Sequence, residues 1–306
     1  MAAVAGPIAV VRVIALATVA VGAAGCAGPF AFDGTSDSVG SHANGSLRYP
    51  SVLPPQGDGY VIPPAWRERD SNFGSDELVG AIVRATRAVS RNHPRFVASV
   101  GDISRRAGGG SAEHKSHQSG RDVDIFFAAA TPAGAPVQPG TAMFHFDRAG
   151  RAVRWSPAQG TAAPASPVPD VRFDTRRNWA LVRALLTDPD VEVQWVFVQR
   201  DLAARLVQQG AAEGDDPGLL ARATAILRQP SDAEIHDDHM HVRVYCDPAD
   251  RELACTDRGP VRWWKKRWKY MEPPFGHPGT FDTASALRGL LRGRLPVVVG
   301  RSRLTS

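Results

Sequence analysis

The spacing of apolar residues along the chain predicts short strands and amphipathic helices that do not follow one another in a regular order. Runs rich in β-branched and aromatic residues, bounded by Gly, Pro, Asn or Asp, are typical of strands. Four such runs are residues 95–102, 123–127, 191–198 and 240–245. Because no strand–helix–strand rhythm links them, the pattern favours an α+β fold, with a small antiparallel β-sheet and flanking helices, over a doubly wound parallel sheet.

Apolar residues three and four positions apart predict the helices. The first begins after Ser75, a good N-cap residue, and ends at His93–Pro94. A second spans Thr175–Thr187 and stops before Asp188–Pro189. Further helices are predicted at about 200–209, at about 216–228 and, as one short helix, near Ala284–Leu291.

The composition of the remaining segments suggests how the chain is divided. Residues 27–60 are rich in Gly, Ser, Pro and Asn and are predicted to be irregular. Residues 128–170 are rich in Ala, Pro and Gly and are predicted to form a long surface insertion. The expected division of the 306 residues is a signal peptide at 1–25, a tether at 26–37, one folded domain at 38–275 and a basic C-terminal tail at 276–306.

The first 25 residues predict export. Arg12 precedes an apolar run, Val13–Ala24, which is too short to span a membrane and ends in small residues, as secretory signals do. The Gly25–Cys26 ending resembles a bacterial lipoprotein signal, in which Cys26 would become the lipidated first residue. Cleavage nearby without lipidation is the alternative. We therefore expect a periplasmic protein, attached to the outer membrane if Cys26 carries lipid.

The charge distribution indicates an anionic partner. The net charge is +5, and the basic excess lies in the segment from Arg251 to residue 306. A basic end of this kind suits nucleic acid, anionic lipid or an anionic polymer such as cell wall. Nucleic acid is disfavoured because the protein is expected to be exported and carries no recognition motif. Aromatic residues among the basic positions 262–270 could stack on sugar or pack on the core, and the sequence leaves both interpretations open.

The cysteine count agrees with export. The chain has three cysteines, Cys26, Cys246 and Cys255. If Cys26 is lipidated, the other two remain as a pair that closes a short loop directly after the 240–245 strand. In an oxidising periplasm Cys246 and Cys255 are predicted to form a disulfide that fixes the end of this strand. Two free thiols are the alternative.

Three histidines lie within six residues, at His236, His239 and His241. Residues two apart on a strand project from the same face, so His239 and His241 are expected side by side. His236 lies in the turn that enters the strand. Two imidazoles side by side on a rigid strand suit a metal ligand beside a proton-transfer group. A pair of hydrogen-bonded surface histidines is the alternative.

A second polar cluster, earlier in the chain, supplies what the histidine strand lacks. A catalytic zinc needs three protein ligands and an open position for water. His117 can give a nitrogen, Asp124 can give a carboxylate oxygen, and His241 would be the third ligand. Gly120 lies where the chain must turn tightly from loop to strand. Asp122 shares the parity of Asp124 and is either a hydrogen-bond acceptor beside the site or a solvated charge.

Two motifs, SHQSGRDVDIF at 116–126 and HDDHMHVR at 236–243, resemble those of the penicillin-insensitive murein endopeptidases. The likeness covers most of the chain, roughly Ser38 to Pro273. It implies the fold of a larger group that includes lysostaphin-like, D-Ala-D-Ala and hedgehog-type zinc proteins, with the zinc site on the face of the sheet. The folded domain at 38–275 is then expected to be a zinc metallopeptidase.

The resemblance implies a role for each residue that matches a family motif. His117, Asp124 and His241 become the zinc ligands. His239 becomes the catalytic histidine, and His236 an assisting histidine near the metal. The sequence contains no HExxH motif and so lacks the glutamate base of thermolysin-type enzymes, which leaves a histidine to move the proton.

Two further positions mark the limits of the resemblance. His114 matches another histidine of the family that can lie near a metal, and it is therefore a secondary candidate ligand. An additional Asp-x-x-His pair of the family is not reproduced, because Asp147 is followed by Arg148-Ala-Gly-Arg. The resemblance therefore does not extend to a second metal.

The family implies a substrate and a reaction. The expected activity is zinc-dependent hydrolysis of the D-alanyl–diaminopimelate cross-links of peptidoglycan. Two alternatives are a D-Ala-D-Ala carboxypeptidase or dipeptidase that uses the same site, and a non-catalytic wall-binding lipoprotein that keeps zinc as a structural element. A structural zinc site tends to use four protein ligands, whereas His239 next to a three-ligand set favours catalysis.

Overall fold

A computed structural model describes residues 34–139, 142–153 and 167–259 of the chain. The predicted signal peptide, Cys26, the aromatic and basic segment 262–270, the helix near 284–291 and the basic tail lie outside these residues. The predicted tether is described only at its end, where Asp37 already begins the first strand.

The described residues form short strands that belong to five small sheets. The strands are β1 (Asp37–Ser41), β2 (Asn44–Arg48), β3 (Ser51–Val52), β4 (Gln56–Gly57), β5 (Tyr60–Val61), β6 (Phe73–Gly74), β7 (Ala98–Ser99), β8 (Asp122–Phe126), β9 (Ala129–Ala130), β10 (Pro136–Val137), β11 (His145–Phe146), β12 (Arg151–Val153), β13 (Pro167–Phe173), β14 (Val193–Phe197), β15 (Leu227–Arg228) and β16 (His239–Val244).

Polar side chains cap three of the longer helices, and one of these caps, Ser75, is predicted from the sequence. Ser75 caps the first long helix, Asp174 the next and Asp216 the one that begins with Pro217, each by accepting a backbone N–H. The helices are α1 (Pro64–Arg67), α2 (Asp76–Asn92), α3 (Thr175–Leu186), α4 (Arg200–Glu213), α5 (Pro217–Ile226) and α6 (Pro248–Glu252). Helix α4 extends beyond the predicted range 200–209. It ends at Gly214, which adopts the left-handed conformation.

The central sheet contains four strands in the order β15–β14–β16–β8. Strand β16 pairs antiparallel with both β14 and β8, whereas the short edge strand β15 runs parallel to β14. The α+β class is confirmed. The expectation of a single small antiparallel sheet is correct only in part, because of the parallel β15 and the additional small sheets around this one.

The segment predicted to be a surface insertion contributes a sheet instead. Its described residues supply most of a five-stranded sheet with the order β10–β9–β13–β12–β11. The Phe146 side chain is buried there and packs edge-on against Phe127 and Phe173. The abundance of Ala, Pro and Gly in the segment concealed these strands, because a few aromatic residues provide much of its apolar contact.

Two other sequence predictions also need correction. The segment 27–60 is not irregular from residue 37 onwards, where it forms β1 to β5 with Leu47 and Leu53 buried. Of the strand predicted at 95–102, only Ala98–Ser99 pairs as a strand. The backbone N–H groups of Ala98 and Val100 donate to the carbonyls of Gly59 and Val61, and the parallel pairing with β5 covers two residues.

Long helices cover the central sheet and complete the core. Helix α2 packs against α3, α3 packs against α4, and α5 packs against β14. Leu78, Val79 and Ile82 form part of the buried face of α2, as the spacing of apolar residues predicts. Trp179 of α3 is fully buried, and its indole N–H donates to Asp215 at 2.6 Å. Among the described residues, no helix has the length and apolar character needed to cross a membrane.

The predicted disulfide between Cys246 and Cys255 is present. It follows β16 directly and encloses helix α6. Cys255 also forms a β-bridge with Gly40 of β1, whose backbone N–H donates to Ala254. The disulfide therefore fixes the end of the histidine strand and the loop that contacts the N-terminal hairpin.

Replacing both Cys246 and Cys255 with serine is expected to lower the free energy of unfolding by roughly 2–3 kcal/mol. The two cysteines are nine positions apart, and a cross-link over a loop of that size removes about this much conformational entropy from the unfolded chain. Urea unfolding of the oxidised protein and the double variant would measure the difference. Equal unfolding midpoints, with the wild-type disulfide verified by mass spectrometry, would contradict the expectation.

Stability is also expected to depend on Asp250 of α6. Burial raises its pKa from 3.8 to about 7; the N–H of Ser38 opposes this shift, and neighbouring carboxylates such as Glu77 add to it. Because the folded-state pKa exceeds the unfolded value, the folded state binds this proton more tightly. The contribution of Asp250 to stability is therefore lost as the pH rises from about 4 to about 7.

Asp250→Asn should remove this pH dependence. At pH 8 the variant is expected to be more stable than the wild type by roughly 1 kcal/mol, or a few degrees in Tm, because solvent screening reduces the effect of the shift. At pH 4 the two proteins should unfold at nearly the same temperature. Thermal unfolding at both pH values measures this, and a constant difference at the two values would contradict it.

Candidate metal centre

The register of two neighbouring strands brings the first pair of candidate ligands together. Strand β16 pairs with β8 so that His241 lies opposite Asp124 and His239 opposite Phe126. Residues directly opposite on antiparallel strands share a face of the sheet, so His241 and Asp124 project together. Met240, which alternates with the histidines, is fully buried.

His117 reaches the same place from the loop that precedes β8. It has a φ of 64°, the left-handed conformation that is uncommon for a residue with a side chain. Gly120 follows with a φ of 70°, and a Cβ there would lie 2.7 Å from the side chain of Leu47. The tight turn predicted at Gly120 is therefore present, and it leads the chain from the loop into β8. The His117 side chain, which precedes this turn, is buried.

Three potential ligand atoms face one another at the spacing that tetrahedral zinc requires. The Oδ1 atom of Asp124 lies 3.3 Å from Nε2 of His117 and 3.1 Å from Nδ1 of His241. The two nitrogens are 3.2 Å apart. Zinc bonds of about 2.0–2.1 Å in a tetrahedral arrangement place neighbouring ligand atoms about 3.3 Å apart.

The carboxylate of Asp124 is arranged as a ligand rather than as a hydrogen-bonded side chain. Its Oδ1 atom is buried and accepts no hydrogen bond within the part of the chain that the structure describes. A buried carboxylate oxygen without a donor is costly unless a cation is available to it. The residues present therefore fit a metal ion bound by Asp124 and the two histidines.

The other nitrogen of each histidine is already engaged. Nδ1 of His117 donates to the carbonyl of Ile103 at 2.6 Å. Nε2 of His241 donates to Oδ1 of Asp122 at 2.8 Å, and Nε of Arg243 donates to the same oxygen at 2.5 Å. These partners leave Nε2 of His117 and Nδ1 of His241 as the nitrogens that face Asp124 and each other.

Asp122 is fully buried and is not the solvated charge that the sequence left open. Burial alone would raise the pKa of its carboxyl group, but Arg243 and His241 outweigh burial and hold the pKa well below its ordinary value. An ionised Asp122 can only accept hydrogen bonds, so it fixes the ring orientation of His241.

His114 lies beside the other oxygen of Asp124. Its ligand atom and those of His117 and Asp124 all lie within 4.8 Å of one another, which makes these three residues a second candidate set. However, Nε2 of His114 is 2.9 Å from Oδ2 of Asp102 and 3.7 Å from Oδ2 of Asp124. No role was predicted for Asp102. The distances favour His241 over His114 as the third candidate ligand.

The two proposed catalytic histidines lie next to this centre. Nε2 of His239 is 3.5 Å from Oδ1 of Asp124. Burial lowers the pKa of His239, but Asp124 and Asp238 outweigh burial and raise it to about 9. The ring of His236 lies 5.1 Å from that of His239, and burial together with the charges of His239 and His241 lowers the pKa of His236 to about 4.

Several contributors to the site were not identified from the sequence. The Ile103 carbonyl carries no side-chain signal, and Asp102 lies at the end of a predicted strand without a predicted role. A group formed by His145, Asp237 and Asp238 also lies next to His239. His145 was missed because it belongs to the segment interpreted as a surface insertion.

Comparison with known proteins agrees with the motifs and the geometry. The sequence model of the family described as penicillin-insensitive murein endopeptidase matches residues 38–263. A protein of that name from Haemophilus influenzae is 28% identical over 256 residues, which cover 81% of this chain and 77% of the relative.

Other relatives with the same name give similar values. The protein from Salmonella heidelberg is 30% identical over 233 residues, which cover 74% of this chain and 71% of the relative. The protein from Escherichia coli O1:K1 is 29% identical over 228 residues, with the same coverage of each chain. The chain therefore belongs to the penicillin-insensitive murein endopeptidase family and is a peptidase.

Proposed function

We propose that this protein is a zinc-dependent murein D,D-endopeptidase that hydrolyses D-alanyl–diaminopimelate cross-links of peptidoglycan in the periplasm. The observation that carries the proposal is the set of three ligand atoms, Oδ1 of Asp124 and one nitrogen each of His117 and His241, at mutual distances of 3.1–3.3 Å. His239 lies beside this set. Family membership supports a murein substrate and a peptidase reaction.

The ligand set leaves room for catalysis. His117, Asp124 and His241 would hold the zinc, and three protein ligands leave one tetrahedral position for water or substrate. When bound, zinc supplies Lewis acidity: it makes water a nucleophile near neutral pH and polarises the scissile carbonyl. Ile103 and Asp122 keep the two imidazole rings oriented for this role.

The proton transfer is assigned to His239. In the reaction the water oxygen bonds to the carbonyl carbon, the C–N bond breaks, and one proton must move from the water to the departing amine. Because its raised pKa keeps His239 protonated near neutral pH, Nε2, which faces the ligand cluster, is placed to give a proton to the departing amine and then to recover one from the water. His236, held by its backbone N–H to the Gln229 side chain, lies close enough to assist in orienting reacting groups.

Digestion of purified cross-linked muropeptide dimers, with and without chelator, tests the proposal. Conversion of dimers to monomers, lost with chelator and restored by zinc, is the expected result by mass spectrometry. Loss of only a terminal alanine would identify a carboxypeptidase on the same site. No cleavage by folded, zinc-loaded protein, together with retained binding to wall fragments, would favour the non-catalytic alternative.

The proposal also places the enzyme at the cell envelope. Cleavage of cross-links requires access to peptidoglycan. Export, which the first 25 residues predict, would give the enzyme that access. Attachment to the outer membrane through a lipidated Cys26 is part of the same proposal. Mass spectrometry of the mature N-terminus would show a lipid-modified Cys26 or an unmodified cleaved end.

A further inference from the structure

His239 has a second set of neighbours on the side away from Asp124. Asp237 and Asp238 precede β16, and His145 is the first residue of β11. The ligand-type atoms of these three residues lie within 4.8 Å of one another. This group is formed by the segment 142–153 together with the loop before β16, and neither the proposed ligands nor the proposed proton transfer makes use of it.

Asp238 lies between two imidazole rings. Its Oδ1 atom is 2.7 Å from Nδ1 of His239, and its Oδ2 atom is 3.6 Å from Nε2 of His145. The remaining nitrogen of His145, Nδ1, is 2.8 Å from Oδ1 of Asp237. The side chains thus form a continuous chain from Asp237 through His145 and Asp238 to His239.

Backbone hydrogen bonds fix the same residues. The N–H of Phe127, just after β8, donates to the carbonyl of Asp238 at 3.2 Å, and the N–H of Phe146 donates to the carbonyl of Asp237 at 2.8 Å. The loop before β16 is therefore attached both to the strand that carries Asp124 and to the strand that carries His145. A side chain anchored on such a frame can hold its neighbour in one orientation.

The contacts differ from those of the candidate metal centre. There, Oδ1 of Asp124 is buried without a hydrogen-bond donor among the described residues. Here, Asp237 and Asp238 each already have an imidazole nitrogen at hydrogen-bond distance. Two hydrogen bonds and the closer approach of His145 to Asp238 account for the arrangement, whereas a second metal would have to displace contacts that are already made.

We propose that Asp238 is a positioning residue for His239, and that His145, anchored by Asp237, holds Asp238 from the opposite side. By accepting the Nδ1–H of His239, Asp238 fixes the ring with Nε2 directed at the ligand cluster, where the proton must be received. A carboxylate that orients a proton-transferring histidine through Nδ1 has the same physical role in hydrolases that use a Ser-His-Asp triad.

This inference rests on the proposed function only in giving His239 the proton-transfer role; the hydrogen bond itself can be tested without substrate. Asp238→Ala is expected to lower kcat on cross-linked dimers by about ten- to hundredfold, the usual cost of losing an orienting partner. KM and the zinc content should stay close to those of the wild type, because neither the ligands nor the substrate surface has been changed.

Companion variants separate positioning from a general structural effect. Asp238→Asn keeps the size and one acceptor oxygen, so its loss in kcat should be smaller than that of Asp238→Ala, and it serves if the alanine variant does not fold. His145→Gln should give a loss smaller than that of Asp238→Ala, again mainly in kcat. Asp147→Asn, in the same hairpin but facing Arg151, is the matched control and should behave as the wild type.

The direct measurement is ¹⁵N NMR of zinc-loaded protein labelled at histidine, with the His239 signals assigned by a His239→Gln variant. A hydrogen-bonded Nδ1–H on His239 is expected in the wild type and in Asp147→Asn, and it should be lost in Asp238→Ala. The inference is overturned if this N–H is unaffected by Asp238→Ala, if kcat stays within about threefold of the wild type, or if the wild type binds a second zinc that Asp238→Asn loses.

The two proposals can fail separately. If no muropeptide is cleaved but the Nδ1–H signal depends on Asp238, the positioning contact stands and the proposed reaction does not. If dimers are cleaved and neither the signal nor kcat responds to Asp238, the reaction stands and the positioning role does not.

Discussion

Replacing His241 with alanine is expected to remove zinc and abolish hydrolysis, whereas the same change at His114 should leave one zinc bound. The expectation follows from Asp124, whose two oxygens face different partners. Oδ1 lies 3.1 Å from His241, while Oδ2 lies 3.7 Å from His114, which is closer to Asp102. Loss of a residue that only orients a ligand costs about ten- to hundredfold in metal affinity, so loss of a direct ligand must cost at least that.

Metal analysis and thermal unfolding would measure this difference. At a free zinc concentration 100-fold above its Kd, binding stabilises a folded protein by about 2.7 kcal/mol, which corresponds to a rise in Tm of about 5–10 °C in a domain of this size. Wild type and His114→Ala should show this rise and His241→Ala should not. Zinc retained by His241→Ala and lost by His114→Ala would exchange the roles of the two histidines.

Replacing His239 with alanine should give the opposite combination: zinc is kept and activity is lost. Nε2 of His239 is 3.5 Å from Asp124 Oδ1, beside the three ligand atoms rather than among the closest of them. General acid–base catalysis by a positioned side chain contributes about 10²–10⁴-fold, so kcat on cross-linked dimers is expected to fall by about that factor.

The matched control for this variant is His93→Ala, at the C-terminal end of α2 and outside the histidine cluster. Activity and zinc content should both be retained there. If His239→Ala keeps a kcat close to that of the wild type, another group moves the proton, and His236 is the next residue to replace. If His239→Ala loses its zinc, His239 is a ligand and not a proton carrier.

Local sequence signals accounted for the parts of the site that lie within one segment. Alternation along β16 placed His239 and His241 on a strand, and Gly120 was correctly placed at a tight turn. The Cys246–Cys255 disulfide followed from the number of cysteines and the expected compartment. In each case the physical constraint acts over a few neighbouring residues, so the sequence contains it directly.

Contacts between distant segments were not accessible in the same way. Asp124 faces His241 because of the strand register, and no spacing in the sequence specifies which residues of β8 and β16 are opposite. The Ile103 carbonyl belongs to the backbone, which every residue possesses. His145 lies in a segment where small residues and prolines hide short strands, and its proximity to Asp238 depends on how that hairpin folds back.

The separation of the ligands along the chain also has a consequence for when the enzyme becomes active. His117 and His241 are 124 positions apart, and helices α3, α4 and α5 lie in the sequence between the strands that carry Asp124 and His241. Contacts of such long range form late because loop closure must come first. On the proposed export route, a chain still crossing the inner membrane would not yet have assembled the ligand set, so it would be unable to cut the wall until the whole domain has arrived.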